Sequence, residues 1–277
     1  MKKVLKSIAI LLLAVIILLL LAFDTRLKCV SYHLDSKKLS GEVKLALITD
    51  LHSCLYGENQ SDLIAAIDSF GPDAVLFGGD IFDDVYVNEN SQILIDNLAQ
   101  KYQLYYVSGN HEWWSKRAYE YFAYLNHAGV TVLRGDSSSL NLNGDHIVIS
   151  GIDDLDCRKY DSSYPDSEQQ LKQIADAHES SDYHILLAHR PENIRQYLTY
   201  DFDLVLSGHA HGGQGRIPFI LNGLYAPNQG FFPEFAGGLY DFGDQKFIVS
   251  RGLSKENTKL PRIFNRPELV FLTLGSE

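Results

Sequence analysis

The chain is short of cysteine and of basic charge, and it carries no repetitive tract. Each lack removes a class of protein. Only three cysteines, Cys29, Cys54 and Cys157, stand in 277 residues. They are too few and too scattered for a disulfide framework, and no pair has zinc-knuckle spacing. Lys and Arg number 24 against 35 Asp and Glu, a formal charge of −11 with no basic stripe. No nucleic-acid partner is expected of such a surface. Internal repeats and low-complexity tracts are missing beyond the first thirty residues. What remains is 45% apolar and 21% charged, the composition of a globular chain long enough for one large domain.

The N-terminus breaks that pattern. Lys2, Lys3 and Lys6 precede an apolar run over residues 8–23, closed by Asp24, Arg26 and Lys28. As a helix the run is about 24 Å long, barely enough for a hydrocarbon core of about 30 Å. A cleaved signal peptide is the rival reading, but Leu21-Ala22-Phe23-Asp24 lacks a small-x-small site. Residues 1–28 therefore read as an uncleaved, single-pass anchor in the cell membrane. A very short basic N-terminus stays cytoplasmic, which puts the rest of the chain outside. Residues 29–42 read as a polar connector and residues 43–277 as one folded domain.

Within that domain apolar runs alternate with amphipathic segments. Strands are predicted over 43–49, 74–77, 104–107, 130–133, 146–150, 184–188 and 204–207. Helices are predicted over 61–70, 91–101, 117–128 and 167–177 and after Pro191. The segments 238–242 and 245–250 form a hairpin around Gly243-Asp244. Early βαβ units followed by antiparallel pairs indicate a mixed α/β fold.

Five predicted strands deliver polar residues at their C-terminal ends, where open α/β sheets assemble sites. They are Asp50-Leu51-His52, Gly78-Gly79-Asp80 with Asp83 and Asp84 beyond, Gly109-Asn110-His111-Glu112, His189, and Gly208-His209-Ala210-His211-Gly212-Gly213-Gln214. Any one could be a structural residue, but five together point to one centre. Imidazole, carboxylate and one amide oxygen suit divalent Mn, Fe, Zn or Co. The donors exceed one tetrahedral site, so two ions are expected. A two-metal site can hold a bridging hydroxide and clamp both oxygens of a phosphoryl transfer.

In this order the motifs resemble those of the calcineurin-like metallophosphoesterase family. The resemblance extends to a membrane-anchored bacterial phosphodiesterase subgroup through Leu224-Tyr225-Ala226-Pro227-Asn228, Gly238-Leu239-Tyr240, Ser250-Arg251-Gly252-Leu253 and Phe264-Asn265-Arg266-Pro267-Glu268. It departs at the stretch 255–259, and at Asp84, where protein serine/threonine phosphatases carry arginine. The resemblance implies two mixed sheets packed as a sandwich and flanked by helices. It implies that Asp50, His52, Asp80 and His211 hold one ion and that Asp80, Asn110, His189 and His209 hold the other, with Asp80 bridging. His111 would then protonate the leaving oxygen or steady the phosphoryl charge, with Asp83 fixing its tautomer and Glu112 supporting the loop. The substrate would be a phosphodiester, phosphomonoester or pyrophosphate, on a membrane-proximal molecule such as a lipid-linked nucleotide sugar. A non-catalytic scaffold would be expected to lack some of these ligands.

His33, His127, His146, His178 and His184 lie outside the motifs and read as surface or core histidines, and Cys54 reads as a bystander. Trp113 and Trp114 are placed either to wall the cleft or to pack a helix start. The loop 153–166 is long enough to overhang the site. Phe231, Phe232 and Phe235 form an apolar patch that either meets lipid or covers a sheet edge.

Overall fold

Periodicity places the core. In the strand Val43–Ile48, Leu45 and Leu47 face one way and Ala46 and Ile48 the other, and all are fully buried. A strand covered on both faces belongs to the middle of a layered α/β structure. The computed structural model describes residues 1–277 except 143, 177–180, 256–259 and 277. His178 and the stretch after Lys255 lie outside the described residues.

Two six-stranded sheets pack face to face. The first runs in the order Lys28–Asp35, Glu268–Gly275, Val43–Ile48, Ala74–Gly78, Gln103–Val107, Thr131–Val132. The second runs Gly238–Phe242, Gln245–Val249, Leu204–Ser207, Tyr183–Leu187, Asp145–Gly151, Asp136–Leu142. Leu45, Leu47, Leu76 and Val107 meet Ile147, Ile149, Ile185, Leu187 and Leu206 between the sheets. The helices Ser61–Phe70, Glu89–Ala99 and Ala118–His127 cover the outer face of the first sheet, through Leu63, Ile67, Leu94 and Leu125. The helix Ser167–Ala175 and the turn Ile194–Tyr197 cover the second, through Leu171 and Ile194. This is the expected helix-flanked sandwich of mixed sheets. The parallel strands Val43–Ile48, Ala74–Gly78, Gln103–Val107, Tyr183–Leu187 and Leu204–Ser207 bring their C-terminal ends to one edge, while the pair Lys28–Asp35 and Glu268–Gly275 runs the other way.

The expected helix starting at residue 61 is Ser61–Phe70, and Gly71 closes it at φ 64° with its N–H donated to Ile67. The hairpin around Gly243-Asp244 also forms as read.

Residues 29–42 differ from the expectation. Lys28–Asp35 is an edge strand parallel to Glu268–Gly275, in register from Lys28 opposite Glu268 to Asp35 opposite Gly275. Further along, Ser40 and Gly41 donate to the Asp145 carboxylate at 2.7–2.9 Å, and Lys38 pairs with Asp203 at 2.9 Å. The segment is integral to the sandwich. Its apolar signature is weak because an edge strand keeps much of its side-chain surface in water, and only Leu34 here is buried.

Ahead of it stands the helix Lys2–Ala22, exposed along its length except at Ala22. It is long and apolar enough to cross a membrane, spanning about 32 Å because it includes the basic first turn. Its end is joined to the domain. Phe264 donates its N–H to the Ala22 carbonyl at 2.7 Å, and the Arg266 guanidinium donates to the carbonyls of Arg26 and Leu27 at 2.9 and 2.7 Å.

Shortening the chain to begin at Val43 would strip Lys28–Asp35 and leave Glu268–Gly275 as a bare apolar edge, a template for aggregation. A chain beginning near Asp24 is expected to stay monodisperse in size-exclusion chromatography, and one beginning at Val43 to elute as aggregate.

Candidate metal centre

The strand ends place their polar residues in one buried cluster. Asp50, His52 and His211 can bring one donor atom each within 4.8 Å of one another, as can Asp80, His189 and His209. A third such group, His52, Asp80 and His111, links the two. Asp80 Oδ2 lies 3.1 Å from His189 Nε2 and 3.7 Å from His52 Nε2. Asn110, fully buried beside them, points an amide oxygen that makes no hydrogen bond, as do Asp50 Oδ2 and His211 Nδ1. Buried polar atoms without partners are rare and need a reason. Oxygen and imidazole donors converging here fit a divalent transition metal, which would complete them.

The backbone is bent to achieve this. Asp50, His52, Asp80, His209 and His211 all have φ between 46° and 62°, a left-handed conformation costing about 1–2 kcal/mol for each side chain. Such strain collects at functional sites. The turns can be this tight because glycine allows close approach. A Cβ at Gly208 would stand 2.4 Å from Asp50 Oδ2, and one at Gly79 would stand 2.5 Å from His189 Nδ1.

One carboxylate holds two of these turns. Glu112 accepts from the N–H groups of Asp80, Ile81, Phe82 and Gly109 at 2.8–3.1 Å, the supporting role expected of it. Burial first, and the neighbouring Asp80 second, raise its pKa, against the pull of those N–H groups.

The imidazoles are oriented from behind. His189 Nδ1 donates to the Gly78 carbonyl at 2.8 Å, leaving Nε2 toward Asp80. His52 Nδ1 meets Asp83 Oδ2 at 3.0 Å, and His209 Nε2 meets Asn228 Oδ1 at 2.9 Å. Tying the far nitrogen fixes the tautomer and frees the near one for a ligand role. Burial, with His189 and Arg190 nearby, depresses His209 to about 3 and keeps it neutral. Burial opposes the His189 imidazolium too, yet Asp80 outweighs it and lifts the group to about 10.

His111 lines the same cleft but is set apart. Its Nδ1 lies 2.6 Å from Asp84 Oδ1 and 3.8 Å from Asp83. The carboxylate within reach of His111 is therefore Asp84, and Asp83 serves His52. Asp83 Oδ1 is already occupied by the N–H groups of Val85 and Tyr86 at 2.8 Å. Burial works against the Asp83 carboxylate, but His52 and those N–H groups hold it down to about 2.

The cleft encloses about 440 Å³ and is walled by Trp114, Gln214, Tyr225, Pro227, Asn228 and Leu260 as well as by metal-site residues. Trp114 lies against His111, with ring centroids 4.7 Å apart, while Trp113 is buried in the core. The loop 153–166 does not reach the cleft wall. It acts from behind, where Asp156 accepts from Trp114 Nε1 at 2.6 Å and Asp154 holds Arg190 at 2.6 and 2.8 Å. Cys54 and Phe235 are core residues. Asn228 and Asn265 are contributors to which the sequence assigned no role. Asn265 Nδ2 donates to the carbonyls of His211 and Gln214 at 2.8 and 3.0 Å and so pins the last metal turn. Both lie within motifs quoted above, the one signal that could have found them.

Residues 43–213 match the calcineurin-like phosphoesterase family. The chain is 31% identical over 240 residues to the metallophosphoesterase YkuE of Bacillus subtilis, covering 84% of this chain and 79% of that one. It is 34% identical over 242 residues to a metallophosphoesterase of Helicobacter pylori, covering 86% and 61%. To a bovine transmembrane protein with metallophosphoesterase domain (Bos taurus) it is 29% identical over 247 residues, covering 84% and 53%. Among solved structures, a 5′-nucleotidase precursor from Thermus thermophilus shares the fold with a TM-score of 0.52 at 14% identity, over 77% of this chain and 50% of that one.

Glu112→Ala would strand four buried N–H groups, each worth about 1–3 kcal/mol when left unsatisfied. Partial entry of water reduces the sum, so a loss of about 3 kcal/mol or more is expected in denaturant unfolding. Metal titration of the same variant should show weakened binding.

Proposed function

The chain belongs to the calcineurin-like phosphoesterase family, a metal-dependent phosphoesterase, and from that membership we propose that its cluster holds two divalent ions and hydrolyses a phosphodiester, phosphomonoester or pyrophosphate bond. The observation that carries this reading is the pair of three-donor groups, each buried and each joined to Asp80. Asp50, His52, Asp80 and His211 would hold one ion and Asp80, Asn110, His189 and His209 the other. An imidazole ligates through one nitrogen, whereas a carboxylate can serve both ions. The donor set suits Mn, Fe, Zn or Co. Ions there would lower the pKa of water and offset the charge of the phosphoryl oxygens.

The remaining work falls to the chain's own groups. Asp84 accepts from His111 Nδ1, which leaves Nε2 as the nitrogen that gives a proton to the departing oxygen. Trp114 and Tyr225 wall the cleft and shield it from water on their sides. Asn228 bridges His209 and Arg190, at 2.9 Å to each, and keeps the ring from turning.

The helix Lys2–Ala22 anchors the enzyme, single-pass, in the cell membrane with the catalytic domain on the extracytoplasmic side. Its length, its basic first turn and the transmembrane bovine relative support this reading. A substrate at or near the bilayer, such as a lipid-linked nucleotide sugar, fits that placement.

Elemental analysis of the metal-loaded protein should give two ions per chain, and Asp80→Asn should lose most of both. One ion at saturation overturns the two-metal reading. His111→Ala should keep both ions and the fold yet turn over about 10²–10⁴ more slowly. The deficit should shrink for nitrophenyl esters, whose leaving groups need little protonation. Asp84→Asn should show the same leaving-group dependence in milder form, and Asp83→Asn should instead weaken metal binding through His52.

A further inference from the structure

The residues just beyond the last metal turn form a strap with an unusual surface. Arg216 donates its N–H to the Ile263 carbonyl at 2.9 Å, and the next residue, Phe264, donates to Ala22 at the base of the apolar helix. The tight turn 217–221 springs from that junction, closed by Ile217 and Leu221. At its tip Phe219 is fully exposed and Ile220 is 82% exposed. A second tip closes beside it, where Phe232 donates to the Leu224 carbonyl and Phe231 pairs with Tyr225. Phe231 and Phe232 are 70% and 67% exposed. Leu224 donates to the carbonyls of both Gly213 and Gly215, so the two tips share one root.

The backbone adds a second anomaly. Phe219 and Phe232 sit at φ 67° and 58°, a region unfavourable for a bulky side chain. Water rewards neither the exposed rings nor the strained backbone that displays them. Exposed apolar groups gathered on two turns of one root mark an interaction surface.

We propose that the strap is a second membrane contact, through which the catalytic domain itself docks on the bilayer that receives the helix. Phe219, Ile220, Phe231 and Phe232 seat among the headgroups and upper acyl chains, in the manner of interfacial segments. Connectivity favours lipid over a protein partner. Only two main-chain hydrogen bonds and a few peptide units separate Ala22, where the apolar helix ends, from Ile217. A domain joined to the helix base at that point holds its strap at the interface. The strap also supplies Gln214 and Tyr225 to the cleft wall. Docking therefore sets the mouth of the metal cleft at headgroup level.

The proposal rests on the anchoring reading of Lys2–Ala22, and its test separates the two. The full chain is reconstituted in phosphatidylcholine–phosphatidylglycerol vesicles, with or without brominated acyl chains. One reporter is Phe219→Trp at the strap tip and the other is Leu13→Trp in the helix. The parent chain, with Trp113 and Trp114, supplies the baseline. Both reporters are expected to shift blue, and bromolipid should remove about half or more of the added emission, as for a ring about 5–10 Å into the headgroup–acyl boundary. Quenching at residue 13 without quenching at residue 219 overturns the docking and leaves the anchor standing. Quenching at neither position overturns both.

Discussion

Asp50 and Asp80 are two carboxylates shut away from water within one cluster of imidazoles, and burying such charges is the constraint that the rest of the structure answers. Burial drives the Asp50 carboxyl upward, and the nearby Asp80 charge adds to that push. Burial opposes the Asp80 charge as well, but the neighbouring His189, His111 and His52 imidazoles hold its carboxyl well below the usual carboxylate range. Isolated charges in such a place are strongly unfavourable unless paired. The left-handed turns, the glycines that let strands pass closely and the four N–H groups gathered by Glu112 all fix these donors where water cannot relieve them.

The strands that carry the donors were readable because both their faces are buried. Residues 45–48 and 185–188 are unbroken apolar runs, and a donor within two residues of the end of such a run lies at the sheet edge. Two of the four edge strands were not readable. Lys28–Asp35 mixes Lys, Ser, His and Asp with Val, Tyr and Leu, and Asp136–Leu142 contains three serines. Both keep one face largely in water, so neither gives a period strong enough to stand out.

Side-chain partnership was the other gap. Asp83 and Asp84 are adjacent and identical, and only the turn that Asp83 closes with Val85 and Tyr86 decides which faces His111. The roles of Asn228 and Asn265 depend on segments 19 and 54 residues away in the chain. Such pairings are made by the folded sandwich and leave no local spacing to read. The exposed phenylalanines of the strap were legible as a patch, but Phe235 separates from Phe231 and Phe232 only because it turns inward to the second core.

The pairing of Lys28–Asp35 with Glu268–Gly275 ties the order of folding to the order of synthesis. The strand Lys28–Asp35 is made long before its partner, with Lys28 opposite Glu268, 240 residues further on. Closing so long a loop costs entropy that no local contact repays, and topologies rich in such pairings fold slowly. Glu268–Gly275 also lies between Lys28–Asp35 and Val43–Ile48, so the first sheet keeps an open slot until residues 268–275 have been made. The residue that pins the turn at His211, Asn265, arrives with that same segment. A nascent chain can therefore build its hydrophobic layers early, but the donor cluster is finished only when Glu268–Gly275 slides into its slot.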